Sequence, residues 1–157
     1  MMILLRGKLF QNIKTETVSS LLYNSTQDYY ALIRDAQKQG LRQSIITSDI
    51  MIAIAEHFLI HRKIAITAID FLVDDDDLQS EITPILNLLK SDSVYWALLK
   101  EKLEFLSKND SIDIKKIEFR NSDGLFYIQV NGIFAAPEAT YKAFSEELSS
   151  VVERCVR

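Results

Sequence analysis

His57 and His61, the only two histidines of the chain, stand four residues apart with Glu56 beside the first. On a helix that interval stacks both imidazoles on one stripe, a geometry suited to holding zinc or manganese. The chemistry would be metal-assisted hydrolysis, with the ion activating a bound water. The remaining ligands are harder to find. Glu56 projects roughly 100° away from His57, and a metal needs at least a third donor. If the helix ran on, Asp70 would face the opposite side, and Asp75 would lie roughly 21 Å from His61. The order of residues also departs from the HExxH pattern, because here the glutamate precedes the histidine. Ile50, Ile52, Ile54, Phe58, Leu59 and Ile60 make the segment apolar nearly all round. The expectation is a central core helix whose histidines are hydrogen-bonded to neighbours, with no cofactor.

The four aspartates Asp74, Asp75, Asp76 and Asp77 raise the question of calcium. Consecutive carboxylates splay by about 100° on a helix and alternate faces on a strand, so they do not converge on one ion. The calcium-loop spacing of acids by two, with a glycine at its sixth position, is absent. They read instead as a solvated acidic loop before the next helix, or as a patch for a basic partner. Tyr29–Tyr30 and Tyr95–Trp96 are adjacent aromatic pairs whose members cannot all face one core, which makes Tyr30 and Trp96 candidate anchors at an interface. Nucleophilic catalysis has little support. No GxSxG elbow occurs, and the single cysteine, Cys155, falls on the apolar stripe of the last helical segment. Glu146 and Glu147 lie on the polar side of that segment and read as solvated surface. Ile54, Ala55 and Phe58 resemble the core spacing of a helix-turn-helix, but the turn lacks glycine and the second helix would run into the aspartates.

These residues need elements to position them. Ile3–Phe10 suggests a short strand. The spacing Val18, Leu22, Tyr29, Ile33, Ala36 predicts helix between Thr15 and Gln39, with Gly40 closing it. A break near Ser25, which with Asp28 resembles a capping arrangement, would divide that helix in two. Thr47 or Ser48 should cap the histidine helix. Ile64–Val73 suits helix or buried strand, and helix is the reading taken. Thr83–Pro84 suggests the start of another helix, and Ser91–Ser93 caps for the next, in which Tyr95, Leu98, Leu99, Leu103 and Leu106 share a face. After Asn109 the alternation of IKKIEFR, the NSDG turn, LFYIQV and Asn131–Gly132 predict strands, and Pro137 opens a final helix. LFYIQV is apolar on both faces and should be central, with helices covering both sides.

The expected fold is therefore α+β: a helix-rich N-terminal two thirds (about 11–109) packed with a C-terminal antiparallel β-meander followed by a helix (about 111–157), all one globular domain. The 157 residues carry a net charge of −4, distributed as +3 over residues 1–48, −6 over 49–92 and −1 over 93–157. That balance disfavours nucleic acid as a partner. With only four glycines, phosphate-cradling loops have little material. One cysteine fits a reducing compartment, the opening MMILLRGKLF lacks the pattern of a secretory signal, and charges interrupt Ile45–Val73 too often for a membrane span. The functional expectation is a cytoplasmic, non-catalytic protein–protein interaction module (adaptor, inhibitor or assembly subunit) that binds another protein or itself. The alternatives are a metal-dependent hydrolase using His57 and His61 and, behind it, a helix-turn-helix-like DNA-binding regulator.

Overall fold

The computed structural model describes residues 3–24, 26 and 28–156. Strand β1 (Leu4–Asn12) ends in a turn where the Asn12 side chain accepts the Lys14 and Thr15 N–H groups at 2.9 and 3.0 Å. The chain returns as β2 (Val18–Tyr23), in unbroken antiparallel register from Arg6↔Tyr23 to Gln11↔Val18. Helix α1 (Tyr29–Lys38) and the short β3 (Leu41–Gln43) follow, and β3 pairs with the end of β1. Then come α2 (Ser48–Glu56), β4 (Ala65–Phe71), α3 (Asp76–Ser91) and α4 (Trp96–Asn109). The C-terminal third is β5 (Ile114–Asn121), β6 (Gly124–Gln129), β7 (Ile133–Pro137) and α5 (Tyr141–Val156). The strands form one antiparallel sheet in the order β2-β1-β7-β6-β5-β4, with β3 beside β1.

This corrects the expected fold class. Strands open the chain, helices are interleaved with them, and the sheet has seven strands rather than a C-terminal meander alone. The helix expected from Thr15 begins only at Tyr29, and its cap is Asp28, which accepts the Tyr30 N–H at 3.0 Å. Val18 and Leu22 misled because an interval of four places residues on one side of a strand as well as a helix. Ser25 lies outside the described residues. Within Ile64–Val73 the chain forms strand β4 (Ala65–Phe71), not a helix. Its β-branched residues favour extension, and Lys63, at φ 55°, turns the chain out of the preceding helix. Pro84 sits inside α3 rather than at its start, and β7 runs through to Pro137.

The two faces of the sheet are unequal. Leu9, Ile66, Ile69, Ile117, Phe119, Phe126, Ile128 and Phe134 point into the main core, where they meet buried residues of α2, α3, α4 and α5. The opposite face carries a small cluster of Phe10, Leu41 and Ala36 of α1. Helices were expected over both faces of β6. On its outer side, Tyr127 is instead covered by side chains: its hydroxyl accepts Arg6 Nε at 2.9 Å, and Lys116 Nζ lies 4.4 Å from its ring centre. At the β6–β7 turn, Gly132 has φ 84° and packs so closely that a Cβ would stand 2.7 Å from the Ser44 carbonyl oxygen. No helix of the described residues is long and apolar enough to cross a membrane.

Lys8 is the unusual member of the outer face. It is fully buried, its Nζ donates to the Asn131 carbonyl, and it lies 5.4 Å from the Tyr29 ring centre. Burial lowers its pKa to about 8. In the unfolded chain the amine stays protonated to about pH 10.4. Between these values the unfolded state binds more protons, so Lys8 adds stability as pH rises. Urea unfolding should show wild type gaining about 2 kcal/mol relative to Lys8→Met between pH 7.5 and pH 10.

Candidate functional site

The histidines lie where α2 changes character. Thr47 caps the helix, its Oγ1 accepting the Ile50 N–H at 3.4 Å, and Ser48 Oγ donates to Asp113 at 2.9 Å while accepting the Ile114 N–H at 3.0 Å. This fixes the first turn of α2 to the start of β5. At the other end, His57–His61 forms a single turn of π-helix, closed by the Ile64 N–H donating to the Phe58 carbonyl at 3.0 Å. Such widened turns often occur where a helix serves something besides packing. Here Phe58 and Leu59 stay in the core while Ile60 to Lys63 turn outward.

The side chain that organises this turn comes from α5. Glu147 Oε1 is 2.6 Å from His57 Nε2 and accepts Arg62 Nε at 2.5 Å. Burial would raise the Glu147 pKa, but hydrogen bonds from His57 and Arg62 outweigh it and hold the carboxyl below its ordinary value. Glu147 is 22% exposed, which corrects its reading as solvated surface. Glu146 beside it is exposed as expected. The pattern in α5 alone could not reveal this, since the partners lie about 90 residues away in the chain.

An open concavity of about 480 Å³ lies beside this carboxylate, its lining including His57, Arg62, Glu147, Ser150 and Arg154. The His57 and His61 ring centres are 5.4 Å apart, and His61 is exposed. His57 Nε2, however, is occupied by Glu147, and no group of three or more His, Cys, Asp or Glu among the described residues is placed to hold a metal ion. The arrangement can hold a fixed carboxylate between two donors and join the end of α2 to α5.

The other candidates are dispersed. Asp75 is the N-cap of α3, accepting the Asp77 and Leu78 N–H groups at 2.9 and 3.4 Å, and Asp76 and Asp77 form the first turn. The aspartates are thus a helix start rather than a loop alone. Asp74, Asp75, Asp76 and Asp77 are all exposed and form no ion pair among the described residues. Leu72 and Val73 before them are also exposed, at 55% and 44%. Tyr30 is 70% exposed, at the start of α1. Trp96 is buried at 5% in the main core, and its Nε1 has no hydrogen-bond partner, so it offers nothing at the surface. Cys155, expected in the core, is exposed near the end of α5. Leu98 does not share the buried face of α4 with Leu99, Leu103 and Leu106. The segment that would supply a DNA-recognition helix is strand β4.

Comparison with known proteins gives no assignment: no family model, no curated protein and no solved structure matches the chain significantly.

Glu147→Gln should lower stability by about 1 kcal/mol at pH 7, because it leaves His57 and Arg62 without their carboxylate. A depressed carboxyl pKa contributes stability above the ordinary carboxylate range and loses it as pH falls through the folded value. Thermal unfolding of both proteins should therefore diverge at pH 7 and converge only as acidification carries the pH below the ordinary carboxylate range.

Proposed function

We propose that the protein is a non-catalytic interaction module whose partner presents a basic segment with apolar side chains. The observation that supports this best is the run Leu72–Asp77, in which two large apolar side chains and four carboxylates are all exposed. Exposed apolar side chains gain from burial against a partner, at about 25 cal/mol per Å². Carboxylates beside them steer a cationic segment and set its orientation. The run is held at one end by the Leu72 N–H, which donates to the Asp113 carbonyl at 2.9 Å, and at the other by the Asp75 cap. A surface fixed at both ends loses little conformational freedom on binding. Tyr30 is a further exposed aromatic, on another part of the molecule. A single thiol and the acidic charge fit a cytoplasmic setting.

An alternating lysine–leucine peptide with a fluorescent label serves as a defined probe. Its anisotropy should rise with wild type, and the double variant Leu72→Ser/Val73→Ser should weaken binding about tenfold at unchanged charge. Asp74→Asn/Asp76→Asn should reduce binding and flatten its salt dependence. Binding that ignores the apolar pair would reduce the interaction to charge condensation and sink the proposal.

A further inference from the structure

The sheet has two edges, and they are treated differently. At β4 the register is irregular between Ile66 and Ala68 and again between Asp70 and Phe71, and Gln79 Nε2 of α3 donates to the Ile69 carbonyl at 3.0 Å. Irregularities, an exposed charge at Asp70 and a side chain on the backbone are the ordinary means of blocking an edge. The other edge, β2, is less guarded: its sequence VSSLLY lacks charge and proline, its register with β1 is unbroken, and a side chain, that of Glu153, meets its backbone at Val18, its first residue.

The orientation of the β2 backbone follows from two bonds. The Asn12 N–H donates to the Thr17 carbonyl, at 2.8 Å, whereas the Val18 N–H donates away from β1, to Glu153 Oε1 of α5, also at 2.8 Å. Backbone polar groups of successive residues point to alternate sides of an antiparallel strand. Those of Ser20 and Leu22 therefore point away from β1, in line with Val18. Alongside runs a groove of about 350 Å³ between β2 and α5, with Ser19 and Ser20 on one wall and Ser149, Ser150, Glu146 and Glu153 on the other. Serines leave room for a backbone to approach, and both charged groups in the lining are carboxylates.

We propose that β2 accepts an extended, lysine- or arginine-bearing segment of another protein as an added antiparallel strand. Its backbone pairs with Ser20 and Leu22, its small side chains lie under α5, and a basic side chain meets the exposed Glu146. Main-chain pairing supplies affinity in this mode, and the groove beside the strand supplies selectivity. Charge decides against a second copy of this chain: edge-to-edge pairing about a two-fold axis would bring the two α5 faces, each with an exposed Glu146 and without a basic group in the groove lining, toward one another. This site is separate from Leu72–Asp77 and does not depend on it.

Amide hydrogen exchange of the full chain, read by NMR, tests the inference with two capped peptides, KVSVSVK and its charge-reversed form EVSVSVE. KVSVSVK should slow exchange at Ser20 and Leu22 about tenfold, and EVSVSVE should not. Ser20→Pro removes one outward N–H at a sheet edge, where proline is tolerated, and should abolish the effect. Glu146→Lys, at an exposed position, keeps the fold and should weaken KVSVSVK several-fold. Leu72→Ser/Val73→Ser should leave protection at β2 unchanged, so failure at either surface is read separately. No protection at Ser20 and Leu22 with KVSVSVK, or equal protection by both peptides, would overturn the proposal. Protection that grows with protein concentration and needs no peptide would overturn it in favour of self-association.

Discussion

A helix with apolar side chains round its whole circumference has to be enclosed, and in this chain that helix is α2. Ile50, Met51, Ile52, Ile54 and Ala55 are all buried. One sheet face can cover only part of such a surface, so further helices must close over the rest. Helices α4 and α5 do so, contributing Leu99, Leu103 and Leu106 from one and Phe144, Leu148, Val151 and Val152 from the other. The same demand explains the ends of α2. Its first turn is fixed to β5 through Ser48, while its last is widened, turned outward and held to α5 by Glu147. A bond between an enclosed helix and the helix enclosing it restrains the turn by which α2 ends and the chain moves out to solvent. Local geometry and tertiary packing are one problem at this point.

Concentrating four helices on one face leaves the other to improvise. There α1 supplies a small apolar cluster, and polar residues with long apolar stems cover much of what remains. Arg6 reaches Tyr127, Lys116 lies over the same ring, and Lys8 is enclosed between strand and helix. Lys8 is costly to bury, and its ammonium keeps a single carbonyl acceptor and two aromatic rings as neighbours. A residue of that kind ties stability to pH.

How much of this was legible in the sequence can be judged element by element. The strands after Asn109, the Asn131–Gly132 turn and the Thr47 cap are local signals with local causes, and they stand where the sequence put them. The enclosed nature of α2 was also legible, because apolar residues all round a helix have one structural meaning. Val18–Tyr23 and Ile64–Val73 were misread because an interval of four does not separate helix from strand, and pairing with β1 and β5 decides the matter from a distance. Glu147 illustrates the same limit at the candidate site. As one of two adjacent glutamates on a polar helix face it carries no mark of its role, which comes from His57 and Arg62 far along the chain. Trp96 erred in the other direction: an adjacent aromatic pair permits an exposed member, but Tyr95 is the partly covered one and Trp96 fills the core.

Chain order also accounts for the difference between the sheet edges. Strand β4 leads directly into α3, so the helix that packs over it brings Gln79 back to the strand's own backbone within ten residues. Protection of that edge is therefore a local event and forms with the β4–α3 unit. Strand β2 leads instead to α1, which packs on the opposite face and leaves the edge behind. Whatever guards β2 must come from α5, at the far end of the chain, and there the described contact with its backbone is Glu153 on the Val18 N–H. A carboxylate can accept that donor but offers no donor to a strand carbonyl, so it satisfies one side of the edge only. An incoming strand brings both kinds of group. The complement left by the fold at β2 is thus the backbone of another extended chain, with positive charge near its acidic end.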